Sequence, residues 1–273
     1  MSKKLFQNRA RLLPRPARNE RGEDRGEGYS KPKGASSPQP SPPSDGREGG
    51  TSVSGSVSKE PRKKSAIQDP WIIAQQVWET EAASVRDLSR VVDPTAFARC
   101  VKVLASCRGK ILTAGCGTSM AAARKIAHSL CCIERPAAFL SPGDAVHGGL
   151  GLVQREDVVI VISKGGGTRE IINLIPAIKA KKAFLIGVTE KPDSVVARHS
   201  DLLLRVQVER EPDPFNMLAT ASTMAVIALF DAVCIALMHA TGYTKEQFAL
   251  IHPGGAVGDR LLDPTQDKSY NQK

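Results

Sequence analysis

Neither a CxxC pair nor a metal-ligand spacing occurs among the six cysteines, Cys100, Cys107, Cys116, Cys131, Cys132 and Cys234. That removes a redox dithiol and a structural zinc site from consideration. Several of these thiols sit in apolar context, where cysteine serves as a small hydrophobe, and the reading is of a reduced, cytoplasmic protein. No GxxxxGK(S/T) string is present, which excludes a P-loop. Gly115-Cys116-Gly117 is followed by Met120 where a dinucleotide fingerprint places its third glycine, and no acidic residue closes the next strand, so no nicotinamide cofactor is expected. No signal peptide is read at the start. The longest apolar stretch, Met217 to Met238, is interrupted by Asp231 and by small polar residues from Thr220 to Thr223. A buried core helix fits it better than a membrane span.

Positive charge is present but unevenly spread. The formal net charge is +10, and Met1 to Ser65 holds fifteen Lys/Arg against seven Asp/Glu. The remainder carries twenty-three against twenty-one. The basic excess therefore belongs to the first segment, and no folded basic face or recognised module points to nucleic acid. Residues 1–65 also have almost no apolar periodicity, with SSPQPSPPSDGREGG as their least complex part. Such a segment cannot bury enough surface to offset the ordering entropy, so a disordered tail is expected. Glu20, Glu23, Asp24 and Glu27 argue against an organelle-targeting peptide.

The organising stretch is Val158 to Lys179. Its continuous β-branched run, Val158 to Ile162, fits a strand buried on both faces. The loop Ser163-Lys164-Gly165-Gly166-Gly167-Thr168 follows, and then Ile171, Leu174, Ile175 and Ile178 recur at helical spacing. A Gly-rich loop lets backbone N–H groups approach an anion, and the helix N-terminus adds partial positive charge. Ser163 and Thr168 supply hydroxyls for such a cradle. A plain strand-to-helix turn without a ligand explains this stretch equally well when it is taken alone.

The rest of the chain repeats the theme. Pro70 opens an amphipathic helix through about Val92, one side marked by Ile73, Val77, Glu81, Val85 and Leu88. A shorter helix starts at Pro94. Lys110 to Ala114 is the first strand, and it runs into Gly115-Cys116-Gly117-Thr118-Ser119 and a helix carrying Ala122, Ile126, Ala127 and Leu130. Further strands are read at Ala137 to Leu140, Ala183 to Val188 and Asp201 to Val206, with the stretch DAVHGGLGL between the second and third. A long helix from about Leu218 to Thr241 and a short one, TKEQFALI, come last. Five strands alternating with helices imply an α/β fold with a parallel sheet and helices on both faces. Both Gly loops leave the carboxyl ends of their strands, so they point into one crevice.

These two loops, together with DAVHGGLGL, TASTMAV and the string from Ile251 through HPGGAVG, resemble the sugar isomerase (SIS) domain, and within it the KpsF/GutQ-type D-arabinose 5-phosphate isomerases. The resemblance covers about Asp69 to Leu262. It implies a flavodoxin-like, doubly wound five-stranded sheet in a domain over 69–262, followed by a disordered tail over 263–273. The implied activity is aldose–ketose isomerisation of a sugar phosphate through an enediol, without metal or organic cofactor, in a homo-oligomer with no membrane or nucleic-acid partner. The family's phosphate contacts match Gly117, Thr118, Ser119, Ser163, Gly166 and Thr168. Thr220, Ser222 and Thr223 lie at its serine/threonine run, where a helix start can also donate backbone N–H groups. Glu211 and His252 match the family's acid–base positions, with His147 in DAVHGG as a further candidate. A histidine has the unperturbed pKa for proton shuttling near neutrality.

The chain departs from the resembled isomerases at two charged positions. Thr118 stands where they carry Lys, and Gly167 stands where they carry Glu after SxSG. Lys164, one loop over, is the cation that can make up the difference. Many relatives continue into a CBS pair that binds adenosine nucleotides, and no such module is expected here. A sugar-phosphate-binding protein that has lost catalysis is the rival reading. Loss of the loop Lys and Glu favours it, and retention of Glu211 and His252 disfavours it.

Overall fold

Five runs of small, β-branched or aliphatic residues pair side by side, every neighbour parallel. The computed structural model describes residues 69–254 and places these runs at β1 (Ile111–Gly115), β2 (Ala137–Phe139), β3 (Val158–Ile162), β4 (Phe184–Thr189) and β5 (Leu202–Arg205). The sheet order is β2-β1-β3-β4-β5. The helices are α1 (Pro70–Arg86), α2 (Leu88–Val91), α3 (Pro94–Ala105), α4 (Thr118–Cys131), α5 (Pro142–Ala145), α6 (Arg169–Ile172), α7 (Ile175–Ala180), α8 (Val195–His199), α9 (Ala221–Thr241) and α10 (Lys245–Ile251). A 3-10 turn over Gly149–Leu152 follows α5. This is the doubly wound, five-stranded parallel sheet that the alternation of elements predicts. The two expected tails, 1–65 and 263–273, lie outside the described residues, as does the GAVG end of the HPGGAVG string.

Strand side chains alternate between faces, and both faces are covered. Val158, Ile160 and Ile162 face one layer with Leu104 of α3, Ile126 and Leu130 of α4, and Leu229, Phe230 and Val233 of α9. Val159 and Val161 face the other, with Ile171 of α6, Ile175 and Ile178 of α7, and Val196 of α8. A strand needed by two cores has no solvent side, which is why its sequence shows no polar alternation. Each such side chain, fully buried, contributes roughly 1.5–3 kcal/mol.

Three boundaries differ from the sequence reading. The first helix breaks at Asp87, and the only buried residue of α1 is Ser84. Ile73 and Val85, expected on its inward side, are exposed, as are Trp71, Ile72 and Trp78. The helix after β3 is split into α6 and α7. Pro176 has no N–H for the carbonyl of Ile172, so the helix restarts around it. The long helix begins at Ala221 rather than Leu218, because the N–H groups of Leu218 and Thr220 go instead to Asp213 Oδ2 and Glu211 Oε2. Ala221–Thr241 is long and apolar enough to cross a membrane by composition. Here it packs against α1, α3 and α4 and contributes its face from Ala225 to Leu237 to the core.

The chain passes from β1 outward to β2 and then crosses back to β3, so the winding reverses between β1 and β3. Ligands of such sheets sit beyond the carboxyl ends of the strands at that reversal. The loops after β1 and β3 meet there. Gly115 lets α4 start close: a Cβ on it would lie 2.5 Å from the Ser119 carbonyl oxygen.

Candidate active site

A cavity of about 100 Å³ opens at this crevice, lined by Thr118 and Ser119 after β1, Lys164 after β3, Thr189 at the end of β4, Val206 after β5, and Ser222 and Thr223 of α9. Its apolar floor includes Ala122, Ile162, Val188 and Val226. Three larger clefts lie elsewhere among the described residues, the smallest of them, about 440 Å³, lined by Ile73, Gln76, Arg210, Glu211 and Asn216 among others. One, about 930 Å³, runs between α1 and Gln207–Arg210 and touches neither Gly loop. Another, about 740 Å³, lies at the amino ends of β3 and β4 among Arg99, Arg108, Arg155 and Lys182.

The expected phosphate contacts separate into committed and uncommitted groups. Gly117 caps α4 with φ +57° and offers no side chain. The hydroxyls of Thr118 and Ser119 make no hydrogen bond among the described residues. An uncapped fourteen-residue helix therefore turns its N-terminus and two free hydroxyls toward the cavity, a ready anion site. Ser163 is buried and its hydroxyl lies 2.8 Å from that of Thr168, so this pair braces the second loop. Gly166, at φ +64°, seats the same loop: a Cβ there would come within 2.1 Å of the Ser194 hydroxyl. Thr223 gives its hydroxyl back to the Ala219 carbonyl at 3.0 Å. The Thr220 hydroxyl is buried without a partner.

Glu211 is the most constrained side chain of the group. Its carboxylate is fully buried and lies 2.6 Å from Lys164 Nζ through Oε1. Oε2 accepts from the N–H of Thr220 at 3.0 Å and of Ser222 at 3.3 Å, which occupies the α9 N-terminus. Its own N–H donates to Asn216 Oδ1 at 2.6 Å. Burial alone would raise its pKa, but the hydrogen bonds from Lys164, Ser222 and Thr220 outweigh burial and hold the carboxyl below the usual range. The expectation that the α9 N-terminus offers its N–H groups to phosphate meets a built-in competitor. Thr220 and Ser222 have given theirs to Glu211.

No histidine lines the cavity of the single chain. His252 follows α10, with Nδ1 2.9 Å from the Phe248 carbonyl oxygen and its ring stacked on Phe248 at 3.9 Å. His147 is exposed in the turn between α5 and the 3-10 turn. Two residues that the sequence reading missed belong to the site. Thr189 donates its hydroxyl to the Lys164 carbonyl at 2.8 Å and lines the cavity, and a hydroxyl at the carboxyl end of a central strand was the available signal. Asn216 has positive φ, a turn role that asparagine tolerates. Among the described residues no cluster of three or more His, Cys, Asp or Glu could hold a metal ion. All six cysteines are free, and burial pushes Cys100 up to about 12 and Cys234 up to about 11, the behaviour of inert core thiols.

Comparison with known proteins gives a consistent picture. Residues 104–236 match the SIS domain family. Arabinose 5-phosphate isomerase KdsD of Yersinia pestis is 37% identical over 188 residues, which is 69% of this chain and 57% of that protein. A candidate sugar-phosphate isomerase from Listeria monocytogenes is 58% identical with a TM-score of 0.67, covering 67% of this chain and 96% of that one. An Escherichia coli CFT073 protein solved in complex with arabinose 5-phosphate is 34% identical with a TM-score of 0.64, covering 67% and 97%. The chain thus spans a little over half the length of the KdsD protein it matches.

Proposed function

From the premise that the chain belongs to the SIS domain family, we propose that it is an aldose–ketose isomerase of phosphorylated sugars, of the arabinose 5-phosphate isomerase type. The observation that carries this reading is the crevice at β1 and β3. It joins an uncapped helix N-terminus, two free hydroxyls and a lysine around one small cavity. That is the chemistry of a phosphate pocket. The Escherichia coli protein that binds arabinose 5-phosphate covers the same domain.

The reaction asks for two proton movements. A base takes the proton from the carbon beside the aldehyde, leaving an enediol. That proton, or one from solvent, is returned to the former aldehyde carbon while a hydroxyl proton passes between the two oxygens. His252 is our candidate for the shuttle, with His147 second, since neutral imidazole can both accept and return a proton near pH 7.

A cavity of about 100 Å³ admits a phosphate group but falls short of the 300–1,000 Å³ usual for a whole ligand. We propose that a second copy of the chain closes the site and brings its His252 to the sugar, in a homo-oligomer. The exposed Trp71, Trp78, Phe215, Met217, Leu218 and Leu250 supply the apolar surface for such an assembly. Six unpaired thiols, two of them buried, favour the cytoplasm. The non-catalytic reading draws support from one observation, that no acid–base side chain lies free at the cavity of a single chain.

An NMR assay in D₂O with a panel of aldose and ketose phosphates tests the reaction. Deuterium entering beside the carbonyl of arabinose 5-phosphate, with ribulose 5-phosphate appearing, is the expected result. A panel without turnover, with sugar phosphates still raising the melting temperature, would leave the binding protein as the answer. Mixing the impaired His252→Ala and Lys164→Met variants tests the shared site: hybrid assemblies should exceed the activity of either variant alone, and no gain on mixing would deny it.

A further inference from the structure

The two charged residues nearest the cavity divide the work between them in a way that their residue types alone do not reveal. We infer that Glu211 is a positioning residue, not the proton-abstracting base, and that it holds Lys164 at the cavity as the cation that meets the substrate phosphate. The inference rests on the proposed reading of the cavity as a phosphate pocket, and it assigns the charges within it.

A general base needs a free lone pair within about 2.6–3.2 Å of the proton it takes. Glu211 offers none at the cavity. Its side chain is fully buried, it does not line the cavity, and both oxygens are engaged, one by Lys164 at 2.6 Å and the other by two backbone N–H groups. The same contacts hold the ionised form, and a carboxylate so stabilised is a poor proton acceptor.

Lys164 has the opposite character. It lines the cavity beside Thr118 and Ser119, and 37% of its side chain is exposed. An ammonium has three protons; Glu211 takes one and two remain for a ligand. The backbone beneath it is fixed, since its carbonyl accepts from the Thr189 hydroxyl at 2.8 Å and the Glu190 N–H at 3.0 Å. Contact with Glu211 then restricts a side chain that would otherwise sweep solvent, so less rotamer entropy is lost on binding.

The carboxylate would repel a phosphate if its charge were left bare. It is not, because Oε2 sits on the N-terminus of α9, whose dipole carries about half a positive charge. The helix end neutralises much of Glu211, and Lys164 remains effectively cationic. One helix end is thereby spent on the positioning residue, and the open end of α4 is left for the ligand. The phosphate is bracketed by α4 on one side and Lys164 on the other.

The test measures inorganic phosphate and arabinose 5-phosphate affinity by calorimetry, alongside isomerase kinetics, on the full chain. Wild type should bind inorganic phosphate. Lys164→Met should weaken that binding about tenfold or more, as expected for a lost charge-assisted hydrogen bond, while Lys164→Arg should stay within about threefold. Glu211→Gln should weaken phosphate binding in the same way and raise KM more than it lowers kcat. A Glu211→Gln variant with unchanged phosphate affinity and a kcat lowered by about 10²–10⁴ would make Glu211 the base and overturn the inference. Undiminished phosphate binding by Lys164→Met, or no phosphate binding by wild type, would overturn it as well. If Glu211→Gln does not fold, the Lys164 pair still decides. If wild type binds phosphate but isomerises nothing, the proposed reaction fails while the affinities still test the assignment of Lys164.

Discussion

The two ends of the central strand β3 carry the same device. At the amino end, buried Asp157 accepts from Lys110 Nζ at 2.7 Å and from the N–H groups of Lys110 and Gln154 at 2.9 and 2.8 Å. At the carboxyl end, buried Glu211 accepts from Lys164 Nζ at 2.6 Å and from the N–H groups of Thr220 and Ser222. Each is a hidden carboxylate, a lysine at the margin of solvent and two backbone donors. The surroundings differ. Asp157 ties Lys110, just ahead of β1, to the turn that enters β3, whereas Glu211 fixes the N-terminus of α9 and a lysine beside a cavity with free hydroxyls. The same chemistry serves as a brace at one end, and at the other we propose that it orders a binding site.

The sharpest way to break that comparison is to remove each lysine in turn. Lys164→Met should lower kcat/KM for the sugar phosphate by about 10²-fold or more, through the lost phosphate contact and its effect on the transition state. Lys110→Met should leave kcat/KM within about twofold in the folded fraction. Equal losses in steady-state kinetics would mean that the two pairs are not functionally distinct.

Removing the carboxylate at the amino end should cost stability instead. Asp157→Asn should destabilise by about 3 kcal/mol, or roughly 6–12 °C in melting temperature for a domain of this size. A thermal scan showing a shift under 2 °C would deny Asp157 its bracing role.

Acid should act on both pairs in one direction. Hydrogen bonds from the paired lysine and from backbone N–H groups hold Asp157 and Glu211 below the usual carboxylate range despite burial. On unfolding both return to ordinary values near pH 4. The stability they contribute is therefore complete above that value and is lost as pH falls through it toward the folded-state pKa values. The melting temperatures of wild type and Asp157→Asn should differ most at pH 6–7 and converge as the solution is acidified. A constant gap down to pH 3 would contradict the linkage.

A smaller effect is expected at the cavity rim. Thr118→Ala removes one free hydroxyl and leaves the α4 N–H groups in place, so phosphate affinity should fall by only about three- to tenfold.

Much of this architecture is legible in the sequence, and the reason is burial on both faces. Val158 to Ile162 is apolar without alternation, and Ile111 to Ala114 is apolar but for Thr113, whose buried hydroxyl donates to the Ala123 carbonyl, because two helical layers need both runs. The two Gly loops announce where the strands end, and the parallel topology brings them to one crevice. What the sequence hides is which acid matters. Glu209, Glu211 and Asp213 form an unremarkable acidic loop on paper. In the fold Glu209 is exposed, Asp213 binds the N–H groups of Phe215, Met217 and Leu218, and Glu211 alone is buried against a lysine 47 residues earlier. No local pattern encodes a contact of that separation. His252 illustrates the other limit, because its motif is conspicuous while its ring, in a single chain, rests on Phe248. The inward side of α1 departs from its sequence pattern for a related reason. α1 packs on α9, yet Trp71, Ile72, Ile73, Trp78 and Val85 are exposed, and periodicity reports an apolar face without saying what covers it.

A crystal structure with arabinose 5-phosphate bound tests the central claim most directly, since it shows which end of the sheet takes the ligand. The account predicts the phosphate between the N-terminus of α4 and Lys164, within hydrogen-bond distance of Lys164 Nζ and of Thr118 or Ser119. A phosphate seated instead in the amino-end cleft among Arg99, Arg108 and Arg155 would contradict it.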